Sequence, residues 1–106
     1  MDDVTKQRIV RDIKENKVLL YMKGTPEDPQ CGFSAQAVNI LRTYPAPLKT
    51  FNVFDDEKIR EGVKEFSGWP KIPQLFVDGK FIGGCDAIVE LHSNGELAKV
   101  LGKKNN

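Results

Sequence analysis

The fold of this chain is decided by VLLYMKGTPEDPQCGFSAQA, residues 18–37. Its first five residues form a continuous apolar run, which predicts a short strand buried on both faces, as in the core of a parallel sheet. A loop with two prolines follows and ends at Cys31-Gly32-Phe33-Ser34. From Ala37 to Tyr44 apolar residues recur at helical spacing. The stretch therefore predicts a strand, a loop and a helix, with Cys31 just ahead of the helix.

The flanking sequence continues this alternation of helices and strands. Residues 2–16 have the pattern of an N-terminal helix. After the stretch, the pattern predicts a strand over 48–54, a helix begun by Asp55 or Asp56 and ended near Gly68, a hairpin turning at Asp78-Gly79, and a last helix capped by Asp86 and interrupted at Gly95. The order α-β-α-β-α-β-β-α predicts an α/β fold in which helices cover a mixed four-stranded sheet. A chain of 106 residues suffices for one core, so we expect a single domain over residues 1–106.

Composition argues against several classes of protein. The formal net charge of +1 gives no field of one sign that would favour nucleic acid or a membrane surface. No segment approaches the roughly 20 apolar residues of a membrane span, and Met1-Asp2-Asp3 lacks the basic residues of a signal peptide. Two cysteines are too few for a secreted disulfide scaffold. We expect a cytoplasmic protein, or one of an organelle matrix if a targeting segment was removed, and we interpret Lys103-Lys104 as a solvated terminus.

Cys31 is the strongest candidate for chemistry. A thiol ahead of a helix meets the unpaired N–H groups of the first turn, which lower its pKa, and Lys23 at the end of the preceding strand can add a cation. In a C-x-x-C motif a second thiol would resolve the mixed disulfide formed by the first, but this chain has Ser34 there. The motif predicts a nucleophile or metal ligand without a neighbouring thiol, and the alternative is an inert buried cysteine.

Two other places are open to more than one interpretation. Ile72-Pro73 is expected to be trans from composition alone, since X–Pro bonds are cis in only about 5–6% of cases. A cis bond would turn the Ile72 backbone toward the cysteine and offer it to an extended peptide. Gly83-Gly84-Cys85-Asp86 is either a strand end with a buried Cys85, or a helix start whose N–H groups can receive an anion. Arg60 alone predicts only a solvated helix surface.

Taken together, these motifs resemble the monothiol glutaredoxins of the CGFS type. The resemblance covers nearly the whole chain and rests on residues 18–24 and 31–37, on Trp69-Pro70, on Ile72-Pro73-Gln74-Leu75 and on Gly83-Gly84-Cys85-Asp86. It implies the short single-domain class and a thioredoxin fold with an extra N-terminal helix, in which a cis Pro73 faces Cys31.

The resemblance also implies bound glutathione, a γ-Glu-Cys-Gly peptide with two carboxylates and one amine. By family analogy, Lys23 and Arg60 pair with its glycyl carboxylate. Ile72, beside Pro73, gives backbone hydrogen bonds to its cysteinyl part, while the Cys85 backbone and Asp86 hold the γ-glutamyl end. Two cations for a carboxylate and one acid for an amine are chemically sensible.

A shared [2Fe–2S] cluster, with Cys31 as its metal ligand, is the third implication. Such a cluster takes four thiolates, whereas one chain with one glutathione supplies two. We therefore expect a homodimer when the cluster is bound and a monomer when it is not. The implied function is an iron–sulfur carrier in iron and redox homeostasis, with apo iron–sulfur recipient proteins and a BolA-like protein as partners.

Three alternatives stay open. The chain can instead be a glutathione-dependent thiol–disulfide oxidoreductase, in which Cys31 attacks a protein–glutathione disulfide and free glutathione resolves it. Gly32-Phe33 and the longer loop over 25–30 differ from active dithiol glutaredoxins, so we expect such activity to be low. A Cys31–Cys85 disulfide is a possible switch if the two Cα atoms lie within about 7 Å. The third alternative is an interaction module for BolA-like regulators. Separately, Lys71 stands where the family usually has Thr, and it adds a cation near the glutathione groove and the dimer face, where it either strengthens anion binding or weakens dimer contacts.

Overall fold

The computed structural model of the protein describes residues 1–102, so the prediction for Lys103-Lys104 lies outside the described residues. The helices are α1 (Asp3–Glu15), α2 (Gly32–Leu41), α3 (Glu57–Ser67), α4 (Cys85–Ser93) and α5 (Leu97–Leu101). The strands are β1 (Val18–Met22), β2 (Gly24–Thr25), β3 (Asp28–Pro29), β4 (Lys49–Asn52), β5 (Gln74–Val77) and β6 (Lys80–Gly83). This order confirms the predicted α/β class.

The main sheet has four strands in the order β4-β1-β5-β6. β1 runs parallel to β4 and antiparallel to β5, and β6 pairs antiparallel with β5. All five residues of β1 are buried, as their apolar run predicts. With helices on both faces and α1 at the N-terminus, this is the mixed sheet of the thioredoxin fold that the resemblance implies.

Each face of the sheet has its own hydrophobic cluster. On one face Leu19 and Tyr21 pack with apolar residues of α1 and α3. On the other face Leu20 and Met22 pack with apolar residues of α2 and α4. Full burial stabilises each such side chain by about 1.5–3 kcal/mol. β1 is thus held from both sides, and its C-terminal end fixes the start of the loop that leads to Cys31.

Local signals place the helix ends and the hairpin. Asp56, rather than Asp55, caps α3: its Oδ1 accepts from the N–H groups of Lys58 (3.0 Å) and Ile59 (3.3 Å). The tight turn between β5 and β6 needs two residues of positive φ, and it has Asp78 (φ 53°) and Gly79 (φ 78°). The predictions for both features are therefore confirmed.

The structure corrects three boundaries. The predicted strand over 48–54 ends at Asn52, because the Asn52 side chain accepts from the N–H groups of Phe54 (3.0 Å) and Gly24 (2.9 Å) and turns the chain into a 3₁₀ helix. The loop before Cys31 contains the small β2–β3 hairpin. Asp86 does not cap the last helix, since the extended residue before that helix is Gly84 and Asp86 lies in its first turn.

Candidate functional site

Cys31 is the residue immediately before α2 and has an extended backbone (φ −157°, ψ 136°). The pKa of its thiol lies below the ordinary value, chiefly because the backbone N–H of Ser34 bonds to the thiolate. The Phe33 N–H, the charge of Lys23 and the Ser34 hydroxyl act in the same direction, while partial burial opposes them. The predicted effect of the helix start and of Lys23 is therefore present.

Ser34 does more than replace a second thiol. Its side chain is fully buried, and its Oγ accepts a hydrogen bond from the backbone N–H of Lys23 at 3.0 Å. The same hydroxyl makes the smallest contribution to the lowered pKa of Cys31. Ser34 therefore ties the end of β1 to the first turn of α2 and orients the thiol between them.

Near the start of α2, and lined there by Phe33, lies a cavity of about 430 Å³, within the range of small-ligand sites. Four predicted site residues line it, namely Ile72, Pro73, Cys85 and Asp86. The other lining residues are Phe33, Trp69, Lys71, Phe81, Ile82, Gly83, Gly84, Ala87 and Glu90. Lys71 therefore lines this cavity, as its position in the sequence predicts. The acidic residues Asp86 and Glu90 line the same cavity.

The loop on one side of the cavity is held by hydrogen bonds and close packing. The Ile72–Pro73 peptide bond is cis, which confirms the family expectation and contradicts the one from composition. The buried Gln74 side chain donates to the carbonyl oxygens of Trp69 (2.8 Å) and Lys71 (3.1 Å). A Cβ atom at Gly84 would lie 3.1 Å from the Pro73 carbonyl oxygen. The missing side chain at Gly84 is what allows this close approach.

Three predicted site residues, Cys31 and the cations Lys23 and Arg60, are not among the residues that line the cavity. Lys23 is close enough to Cys31 for its positive charge to lower the pKa of that thiol. Arg60 is half-buried on α3: its guanidinium lies over the Phe54 ring (5.5 Å to the centroid), and its Nη1 is 3.7 Å from Glu57 Oε1. Its buried Nε has no hydrogen-bond partner within residues 1–102.

Cys85 is the first residue of α4 and is 8% exposed. Its thiol donates to Oε1 of Gln36 on α2 at 3.3 Å. Burial raises the pKa of Cys85, and the negative charges of Asp86 and Cys31 add to this. Neither cysteine is in a disulfide. The two thiols therefore have opposite properties, one favoured as a thiolate and the other kept protonated.

Comparison with known proteins agrees with this geometry. The Glutaredoxin family profile matches residues 18–82. The chain is 48% identical over 101 residues to a monothiol glutaredoxin of Synechocystis, covering 95% of this chain and 94% of that protein. It belongs to the monothiol glutaredoxin family.

Further similarities agree with this membership. The mitochondrial monothiol glutaredoxin-S15 of Arabidopsis thaliana is 46% identical over 99 residues, or 93% of this chain and 59% of that protein. The solution structure of reduced poplar apo GrxS14 superposes with a TM-score of 0.77 at 46% identity, covering 89% and 86% of the two chains. The chain thus spans little more than half the length of some relatives and nearly all of others.

Several residues of this glutaredoxin site were missed from the sequence. Gln36, Gln74 and Trp69 lie in motifs that carry the family resemblance but were given no role there, and Glu90 and Phe81 carry no motif signal. Only the position of Gln74 directly after Pro73 could have suggested a role in holding the loop. Within residues 1–102 no three His, Cys, Asp or Glu side chains are grouped to hold a metal ion. In that range no helix is long and apolar enough to cross a membrane.

Proposed function

We propose that this glutaredoxin binds glutathione in the cavity near the start of α2. The observation that carries the proposal is a Cys31 thiol with a lowered pKa at the start of α2, where Phe33 lines a groove edged by the cis Pro73 loop and the start of α4. Ile72 lines this groove and can pair with an extended peptide. Asp86 supplies an acid for the γ-glutamyl amine, and Cys85 lies at the helix start that faces it.

Lys23 and Arg60 are proposed as partners of the glycyl carboxylate. Arg60 suits this function because its contact with the exposed Glu57 is long, at 3.7 Å, and a surface pair of this kind adds little stability. A ligand carboxylate can therefore replace Glu57 at low cost. The charge of Lys23 already lowers the pKa of Cys31, so a ligand carboxylate paired with Lys23 would lie close to that thiol.

We further propose that the protein carries a [2Fe–2S] cluster, its cargo, to apo recipient proteins. Four thiolates are needed. Cys31 is suited to be one of them, whereas Cys85 is buried and bonded to Gln36. One chain and one glutathione then give two ligands, so two chains must share the cluster. The expected cluster-loaded form is a homodimer and the cluster-free form a monomer.

Anaerobic reconstitution with iron, sulfide and glutathione tests both proposals. We expect visible absorption of a [2Fe–2S] cluster and a dimer by mass, both of which require glutathione. Cys31→Ser should form no cluster, and the matched variant Cys85→Ser should still form one. Cluster formation by Cys31→Ser, or in the absence of glutathione, would overturn the carrier proposal. Glutathione binding is measured separately by calorimetry on the reduced protein.

A second candidate function is reduction of protein–glutathione disulfides. The lowered pKa of Cys31 favours it, because the thiolate is the attacking species. We expect low turnover in an assay coupled to glutathione reductase, since free glutathione must resolve each intermediate. Turnover as fast as that of a dithiol glutaredoxin measured alongside would rank this function first.

For partners and compartment, family membership is the support for a proposal. We propose a BolA-like protein as a partner, in the cytoplasm or an organelle matrix. Mixing the two proteins with and without cluster tests the partnership by mass, and the lack of any complex would count against it. Localising the tagged protein in its source cells decides between the compartments.

A further inference from the structure

Gln36 and Cys85 connect the two helices that begin at the candidate site. Gln36 lies in the second turn of α2, and Cys85 opens α4, 49 residues later in the chain. The Cys85 S–H donates to Gln36 Oε1 at 3.3 Å, a normal distance for a sulfur donor. The cluster proposal uses this contact only to exclude Cys85 as a ligand, and the glutathione site does not use it.

The contact matters because the two cysteines are close enough for the charge of one to affect the pKa of the other. A Cys31 thiolate raises the pKa of Cys85. A disulfide, however, requires the two sulfurs to approach to about 2.05 Å. While its S–H is bonded to Gln36 on the second turn of α2, the Cys85 sulfur is directed to that amide. It must leave this acceptor, and lose its proton, before it can attack at Cys31.

We propose that Gln36 is a positioning residue that keeps the Cys85 thiol out of the chemistry of Cys31. Gln36 orients the thiol and gives its proton a hydrogen-bond acceptor. Burial, which raises the pKa of Cys85, acts in the same sense. The inference rests on the proposed function to the extent that Cys31 reacts with glutathione.

The competing reactions define what Gln36 controls. A Cys31 thiolate attacks oxidised glutathione, forms the Cys31–glutathione disulfide and releases one glutathione thiolate. Either an external glutathione thiolate then attacks the glutathione sulfur of this bond, which returns the Cys31 thiolate and oxidised glutathione. Or Cys85 loses its proton to solvent and attacks the Cys31 sulfur, which forms the internal disulfide and releases a second glutathione thiolate. In this second route two protein thiols are oxidised and one oxidised glutathione becomes two glutathiones.

The test measures how the chain partitions between these products. Reduced full-length protein is mixed with oxidised glutathione, quenched with acid at intervals and analysed by intact mass and peptide mapping. The variants are Gln36→Ala, which removes the acceptor, and Gln36→Glu, which keeps an acceptor and adds a negative charge. Asn39→Ala is the matched control, since Asn39 is an exposed amide on the same helix. Alkylation of Cys85 in a Cys31→Ser background gives a second readout.

We expect Gln36→Ala to form the Cys31–Cys85 disulfide about two- to tenfold faster than the parent, the range of one modest hydrogen bond. Its Cys85 should be alkylated faster by a similar factor. Gln36→Glu and Asn39→Ala should match the parent or form the disulfide more slowly. Parent-like rates for Gln36→Ala in both readouts would overturn the inference while leaving the proposed function intact. A parent Cys31 that does not react with oxidised glutathione would instead contradict the proposed function.

Discussion

Replacing Ser34 by Ala tests how the site is built. The substitution removes the acceptor that the backbone N–H of Lys23 uses at 3.0 Å, at a fully buried position. A buried donor left unpaired costs about 1–3 kcal/mol, and the better helix propensity of Ala recovers a few tenths of this. We expect a loss of about 1–2 kcal/mol. At about 4–8 °C per kcal/mol for a domain near this size, the melting temperature should fall by about 5–15 °C.

The assay combines urea unfolding with titration of Cys31. Unfolding gives the free energy and, through an unchanged m value, shows that compactness is retained. Thiolate absorbance in a Cys85→Ser background should show a higher pKa for Cys31, because the thiolate loses the Ser34 hydroxyl as a donor. Ser93→Ala is the control: Ser93 is exposed on α4, and its loss should change stability by less than about 0.5 kcal/mol. If Ser34→Ala is as stable as this control and its Cys31 pKa is unmoved, the reasoning is refuted.

Three further predictions concern the groove, a helix cap and pH. Gly84→Ala should weaken glutathione binding in calorimetry, because its Cβ would press on the Pro73 carbonyl at 3.1 Å; Gly32→Ala, where a Cβ meets no atom within 4 Å, should not. Asp56→Ala should cost about 1–2 kcal/mol in urea unfolding, since α3 loses its cap. The lowered pKa of Cys31 stabilises the fold fully above the pKa of the unfolded thiol, and this contribution disappears as pH falls through the folded pKa. The stability difference between the parent and Cys31→Ser should therefore increase with pH, and a difference independent of pH contradicts this.

The parts of the fold that follow from local pattern were predictable. The apolar run of β1 predicts burial on both faces of the sheet. The Asp78-Gly79 pair predicts a turn whose dihedral angles few other residues adopt. The end of β4 was not predictable, because it depends on Asn52 accepting from Gly24, 28 residues earlier in the chain. A single sequence shows that Asn can end a strand, but not which backbone group will meet its side chain.

Some features of the candidate site were likewise predictable from local sequence, and others were not. The position of Cys31 before a helix, and hence its lowered pKa, follows from adjacent sequence. The cis bond before Pro73 came only from the family resemblance, since composition favours trans. The contact between Gln36 and Cys85 joins two helices through packing of the whole domain, so no local pattern could indicate it. The single-domain prediction for residues 1–106 stays a prediction.

The two cysteines show how environment, rather than residue type, sets chemistry at this site. Cys31 receives backbone donors from the first turn of α2, and each of them favours the charged form. Cys85 also begins a helix, yet its pKa is raised, because burial outweighs any benefit of the helix start. Its thiol therefore donates to Gln36 instead of accepting from the backbone. Of the two thiols, only Cys31 is shifted toward the thiolate form, so we expect chemistry that needs several thiolates at once to take the others from a second molecule.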